Sequence, residues 1–172
     1  MKQVLLITPQ EVRDRTNLDS NIDDSKIINT TILAQDMIVE PLLGSIMLGT
    51  IYDQIIADTL EDKYRLLLDY HVRKLLIAAV QHKIVTVLIY RFNNTGASKA
   101  DIDKEQILSV KEIKELRTEM SEYIGTYGER ITKYLTSKST TYPLYDDISE
   151  EGTTAGKISE GFGFYVEGSE LC

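Results

Sequence analysis

Cysteine is nearly missing from this sequence. Its one copy, Cys172, is the last of 172 residues, so no internal disulfide can form and no cysteine-based zinc site is available. Positive charge is scarce as well, with 19 Lys+Arg against 27 Asp+Glu and a formal net charge of −8. Tight binding to duplex DNA relies on cations that neutralise phosphates, and this balance argues against it. Long apolar runs are also missing. The longest, Leu75 to Val80, has six residues, against the roughly 20 that a membrane-spanning helix needs. Val4 to Ile7 is stopped by Thr8-Pro9, short of the apolar core of a signal peptide. The sequons at Asn29 and Asn93 carry little meaning without secretion. These absences lead to the expectation of a soluble protein of a reducing compartment that neither enters nor crosses a membrane.

What is present reads as helix. The length suits one domain with a sizeable core, and 42% hydrophobic residues exclude a disordered chain. Thr8-Pro9-Gln10-Glu11 has the form of a capping box, predicting a short helix to about Arg15. A polar loop, Asn17 to Ser25, follows. Ile28, Ile32, Gln35, Val39 and Leu42 then recur at the spacing of one helix face. Pro41 lacks an N–H and predicts a kink or an end near Glu40. Leu43-Gly44 would turn the chain into another helix, Ser45 to Ala57, with Leu48, Tyr52 and Ile55 inward.

The segment from Asp62 to Phe92 is apolar most of the way round, with Leu66 and Ile77 joining Leu67, Leu68, Leu75 and Leu76. Such a helix is packed on several sides and is expected to be the central one. Ile84-Val85-Thr86-Val87 could be strand, but its context favours helix. Asn93 to Ser98 is turn chemistry. Ser109-Val110-Lys111-Glu112 forms a second capping box. After it, Val110, Ile113, Leu116, Met120, Ile124, Tyr127, Ile131 and Tyr134 mark a long amphipathic helix that tolerates Gly125 and Gly128.

The character then changes. Residues 139–172 hold seven acids and one base, so they carry −6 and the first 138 residues only −2. No helical period survives there. The expected fold is therefore an all-α bundle with a long central helix over residues 1–138. An extended acidic arm, residues 139–172, would follow and could form a short β-segment. Tyr142, Pro143 and Tyr145, then Phe162, Phe164 and Tyr165, are its anchors. Phe162, Phe164 and Val166 alternate with the period of a strand, which suits addition to another chain's edge. A tail folded over its own domain is the other reading, and both stay open. Deleting residues 139–172 is expected to leave a folded bundle that no longer assembles.

Nothing in the pattern argues for an active site or a cofactor. His71 and His82 share a helix face but stand roughly 16 Å apart along it, too far for one metal ion. Neither has a Glu three residues before it, as a ferritin-like di-metal site needs. Gly161-Phe162-Gly163 lacks the third glycine of a dinucleotide fingerprint. Gly125-Thr126-Tyr127-Gly128 sits inside a helical period and is followed by Glu129, unlike a nucleic-acid-binding loop. Asp23-Asp24 and Asp146-Asp147 are explained by a helix cap and a solvated arm. No catalytic, cofactor-binding or metal residues are expected.

Ala34-Gln35-Asp36-Met37-Ile38-Val39-Glu40-Pro41-Leu42-Leu43-Gly44, preceded by Asn21-Ile22-Asp23-Asp24, resembles the opening of a family of small helical proteins from tailed bacteriophages of Bacteroides-type hosts, crAss-like phages included. The resemblance continues through Tyr90 to Gly96, the helix Glu115 to Leu135 with Tyr123 and Tyr127, and Tyr142-Pro143. Lys99 to Gln106 has no obvious counterpart. The resemblance implies a virion neck component, a head-to-tail connector or adaptor that attaches below the portal. It implies a homo-oligomeric ring, commonly dodecameric, whose arm grips the portal or a neighbour and whose other face meets the next neck or tail ring. DNA would only pass through the lumen, and an acidic chain would let it slide. Pro41 and Gly44 match the family's helix-breaking Pro-Leu-Leu-Gly signature. A stopper or tail-completion ring protein is the alternative within the class. A soluble ligand-binding bundle is the alternative outside it, but it would need convergent polar residues facing inward, and Gln35 is nearly alone.

Overall fold

The computed structural model of the chain describes residues 4–16, 18, 21–93, 96–99 and 110–146. It begins with the expected capping box. The Thr8 hydroxyl accepts from the Glu11 N–H at 3.1 Å, and Glu11 accepts from the Thr8 N–H at 2.9 Å. With two orphan donors satisfied, α1 (Pro9–Asp14) starts at Pro9, where no N–H is needed. Arg13 donates to the Ile22 carbonyl at 2.7 Å and pairs with Asp24, which joins α1 to the start of α2 (Asp24–Ala34).

The corner after α2 differs from the expected break. The helix does not end near Glu40. It passes through a π turn, Gln35–Val39, into α3 (Glu40–Leu43) and stops only at Gly44. In the π turn the Glu40 N–H reaches back five residues to the Gln35 carbonyl, which resets the ladder. Pro41 then falls in the first turn of a new α segment, where a missing N–H costs little. Gly44 makes the actual corner, with φ 81° and ψ 148°. The residues from Asp24 to Leu43 and those of α4 (Ser45–Ile56) diverge by 120° across it. That conformation is close to glycine's own, so Gly44→Ala is expected to lower stability by about 1–3 kcal/mol, measured by urea unfolding.

The inward face of α2 is also one residue off the expected stripe at its start. Ile27, Thr30, Thr31 and Ala34 are buried, whereas Ile28 and Ile32 are only half-buried. Thr30 hides its hydroxyl by donating to the Lys26 carbonyl at 2.7 Å, so a polar residue stands on the core side.

The long central helix exists, with a second π turn in it. α5 (Asp62–Leu67) passes through Leu68–Val72 into α6 (Arg73–Ile89). α6 packs on α2 on one side and on α7 (Val110–Ser137) on another, which explains why Leu75, Leu76, Ala78, Ala79, Val80 and Ile84 are all buried. The helix ends at Ile89, three residues before the expected limit. Tyr90–Asn93 (β1) turns instead into an antiparallel pairing with Gly96–Lys99 (β2), Tyr90 opposite Lys99 and Asn93 opposite Gly96. The turn chemistry of Asn93 to Gly96 favours a hairpin over another helical turn. The architecture is all-α, with this ribbon attached. Among the described residues no single helix is long and apolar enough to cross a membrane.

α7 buries Met120, Ile124, Ile131 and Leu135 with Tyr127 and Tyr134 half-buried, the stripe its periodicity predicts. Its second capping box cannot be followed, because Ser109 lies outside the described residues. A Cβ added at Gly125 would meet nothing within 4 Å. Gly125→Ala is therefore expected to stabilise the bundle by about 0.5–1 kcal/mol through helix propensity alone, read as a raised thermal midpoint.

Candidate functional site

The first arm anchors do not reach outward. After α7 the chain turns back, and α8 (Pro143–Asp146) lies against the bundle near α4 and the end of α7. Tyr142 is 1% exposed and Tyr145 is buried. The Tyr142 hydroxyl donates to the Lys63 carbonyl at 2.8 Å and lies 3.4 Å from the Tyr134 hydroxyl. Its ring is 6.1 Å from Tyr64 and 5.9 Å from Tyr134, tilted against both. Burial, reinforced by the Tyr134 contact, pushes the Tyr142 phenol far above its ordinary range. The start of the arm thus packs against its own bundle, one of the two readings that the sequence leaves open. Tyr142 and Tyr145 are anchors onto their own chain and not free interface residues, because burial there removes more apolar area from water than exposure would. Pro143 is exposed at the start of α8. Phe162, Phe164 and Tyr165 lie outside the described residues.

The histidines are packing residues in this arrangement. His71, in the second π turn, stacks on Tyr134 with ring centres 4.3 Å apart. His82 is half-buried on α6. Among the described residues no group of three or more His, Cys, Asp or Glu side chains could hold a metal ion. Burial lowers both histidines below their ordinary value; Lys74 and Lys138 add to this at His71, and Arg117 and Lys83 at His82. Above about pH 6.5 both rings are neutral folded or unfolded, so their contribution is fully present. As pH falls from there through the folded values, the unfolded chain binds more protons and stability declines. Glu11 adds a second loss at lower pH. Partial burial raises it, but the Thr8 N–H and Arg73 outweigh that and hold it below the usual carboxylate value. Urea midpoints should therefore be flat just above pH 7, fall below pH 6.5, and fall again below about pH 4.5.

Gln35, the polar residue on the inward face, makes three hydrogen bonds. Its Oε1 accepts from the Leu6 N–H at 2.9 Å, and its Nε2 donates to the Val4 carbonyl and to the Tyr52 hydroxyl, each at 2.9 Å. It replaces a strand partner for the N-terminal segment, whose Leu6 and Ile7 plug the core. Both amide donors are thus spent, and the residue is buried and offers no polar group at the surface. Two surface depressions, one along α7 near Lys111, Glu115 and Glu119 and one between Gln10 and Asp24, are open to solvent.

Exposed apolar side chains make the more informative surface. Leu33 and Met37 stand one turn apart, 44% and 45% exposed, on the outer face of the α2–α3 helix. Leu66 and Tyr70, 49% and 62% exposed, form a similar pair on α5 and its continuation. Leu66 was expected inside, as part of a helix packed all round. Buried Tyr64, Leu67, Leu68 and Val72 form the inward stripe, and Leu66 and Tyr70 lie on the opposite side of it. The available signal in the sequence was an apolar i, i+4 pair out of step with the core stripe.

Residues 36–154 match DUF6712, described as a family of unknown function. No curated protein and no solved structure matches the chain.

Proposed function

The chain belongs to the DUF6712 family, a family of unknown function, and from that premise we propose that it is a structural virion protein. In this reading it is a head-to-tail adaptor that forms an oligomeric neck ring below the portal, links capsid to tail and lets DNA pass. The observation that supports it best is the double use of Ala34 to Gly44, the segment that carries the resemblance to phage neck proteins. Ile38, Val39, Leu42 and Leu43 build the core corner, while Asp36, Met37, Glu40 and Pro41 face solvent. Core packing accounts for the first set. In the second set Met37 lies beside exposed Leu33, and an apolar pair left in water is suited to being covered by another protein. The acidic balance suits a channel wall along which DNA slides.

The test is the molar mass of the purified chain by light scattering, alone and mixed with the portal protein of the same genome. A ring-sized species, or a single chain that assembles only on the portal, is expected. A stable single chain indifferent to every virion protein would overturn the reading.

A further inference from the structure

The C-terminal half of α7 carries aromatic rings and positive charge along one stripe. Tyr123 is 44% exposed, and Tyr127 and Tyr134 continue the same side of the helix, half-buried. Arg130 lies over the Tyr127 ring at 5.7 Å, and Lys138 over the Tyr134 ring at 5.0 Å. Among the described residues neither cation takes part in an ion pair. Lys74 stands close to this end as well, since Lys74 and Lys138 both add to the burial that lowers His71, the ring stacked on Tyr134. Two acids bound the stripe at its N-terminal end: Glu119, which accepts from the Tyr123 hydroxyl at 2.8 Å, and exposed Glu122. From Tyr123 onward the helix has one acid, Glu129, and it pairs with Lys133 at 3.3 Å.

We propose that this stripe holds the chain's own C-terminal arm, with Phe162, Phe164 and Tyr165 against the tyrosines and Glu160 and Glu167 against the cations. Charge chooses the stripe over the exposed apolar side chains elsewhere. Residues 147–172 have six acids and one base. Leu33 and Met37 are flanked by exposed Asp36 and Glu40. α4, with exposed Ile46 and Ile56, holds Asp53 and no base. Leu66 and Tyr70 have Asp62 and Asp69 around them as well as Arg65 and Lys74. An acidic segment meets its own sign or a mixture at those places, and a positive surplus on α7. Length agrees. Residues 123–138 run roughly 22 Å along the helix axis, close to the roughly 23 Å that residues 161–167 span when extended. The tether selects the same chain over a second copy. α8 ends at Asp146 beside the end of α7, and residues 147–161 reach up to about 50 Å. The arm therefore meets its own stripe at an effective concentration on the order of mM, far above that of a second copy in dilute solution. This docking stands apart from the ring reading.

The experiment puts a photoreactive aromatic residue into the full chain, Phe164→benzoylphenylalanine, and maps its cross-links by mass spectrometry after irradiation in dilute solution. Cross-links to residues 123–138 in a product of single-chain mass are expected. Adding Arg130→Glu/Lys138→Glu, with a thermal melt to establish folding, should lower their yield roughly fivefold or more, and adding Glu160→Lys/Glu167→Lys to that variant should restore it. Raised salt should lower the yield with the stripe unaltered, so the charge dependence is read even where the reversed stripe fails to fold. Cross-links to other parts of the bundle, products of doubled mass, a yield indifferent to salt and charge reversal, or a double reversal that restores nothing would overturn the proposal. The molar mass experiment tests the ring reading separately, and its outcome leaves this one untouched.

Discussion

Tyr142→Ala is expected to destabilise the bundle by about 3–5 kcal/mol, the usual cost of emptying a buried aromatic site. The ring fills the space between Tyr64 and Tyr134, and its hydroxyl satisfies the Lys63 carbonyl. Truncation to alanine removes the packing and leaves that carbonyl without its partner. Tyr142→Phe isolates the second effect and should cost only about 1 kcal/mol, because the ring stays. Ending the chain after Lys138 removes Tyr142 and Tyr145 together and should cost at least as much as the alanine variant. Ending it after Asp146 keeps both. Urea unfolding of the four proteins orders them, and a Lys138 truncation as stable as the parent would sink the assignment of this segment to the core. A domain holds about 5–15 kcal/mol in total. The shorter truncation can therefore unfold a large share of the molecules, and lost assembly in it says nothing about an interface.

This result shows where the sequence was readable. Both the helical fold and the sites of its boundaries rest on local chemistry: a Thr-Pro-Gln-Glu cap, a glycine at a corner, and an apolar stripe from Met120 to Tyr134. Each acts within one or two turns, and each came through. The docking of the segment after Lys138 stays open in the sequence because its anchors obey no period. Tyr142 is buried through a contact with Lys63, 79 residues away, and no local pattern encodes that. The first π turn had a similar effect. It lies at Gln35–Val39 and lets Pro41 sit inside a helix that a regular ladder would have ended. The outward pairs were hidden among apolar residues that do face inward. Their i, i+4 spacing out of step with the core stripe was the one local sign of them.

Gln35→Leu is the second substitution with a large expected effect. The residue is apolar, close in volume and a good helix former, so propensity and packing predict little change. Its three hydrogen bonds predict otherwise. Without the amide, the Leu6 N–H and the Val4 carbonyl lose their partner on the bundle, and the Tyr52 hydroxyl loses its contact. A buried group left unmatched costs about 1–3 kcal/mol, and with the Leu6 N–H buried and the other two groups part-buried a total of about 2–5 kcal/mol is expected. The loss should fall first on the N-terminal segment, with hydrogen-exchange protection at the Leu6 amide disappearing before that of α6. Gln35→Glu separates the two halves of the clamp. An ionised carboxylate still accepts from the Leu6 N–H, but it faces the Val4 carbonyl with no hydrogen to donate. Burial raises the value of such a carboxyl, and once protonated it can donate again. The Glu variant should therefore recover ground relative to the parent as pH falls from 7 toward 5, while the Leu variant should not. Equal behaviour of the two across that range would mean that the amide's donor side contributes nothing, and that Leu6 and Ile7 hold the segment by packing alone.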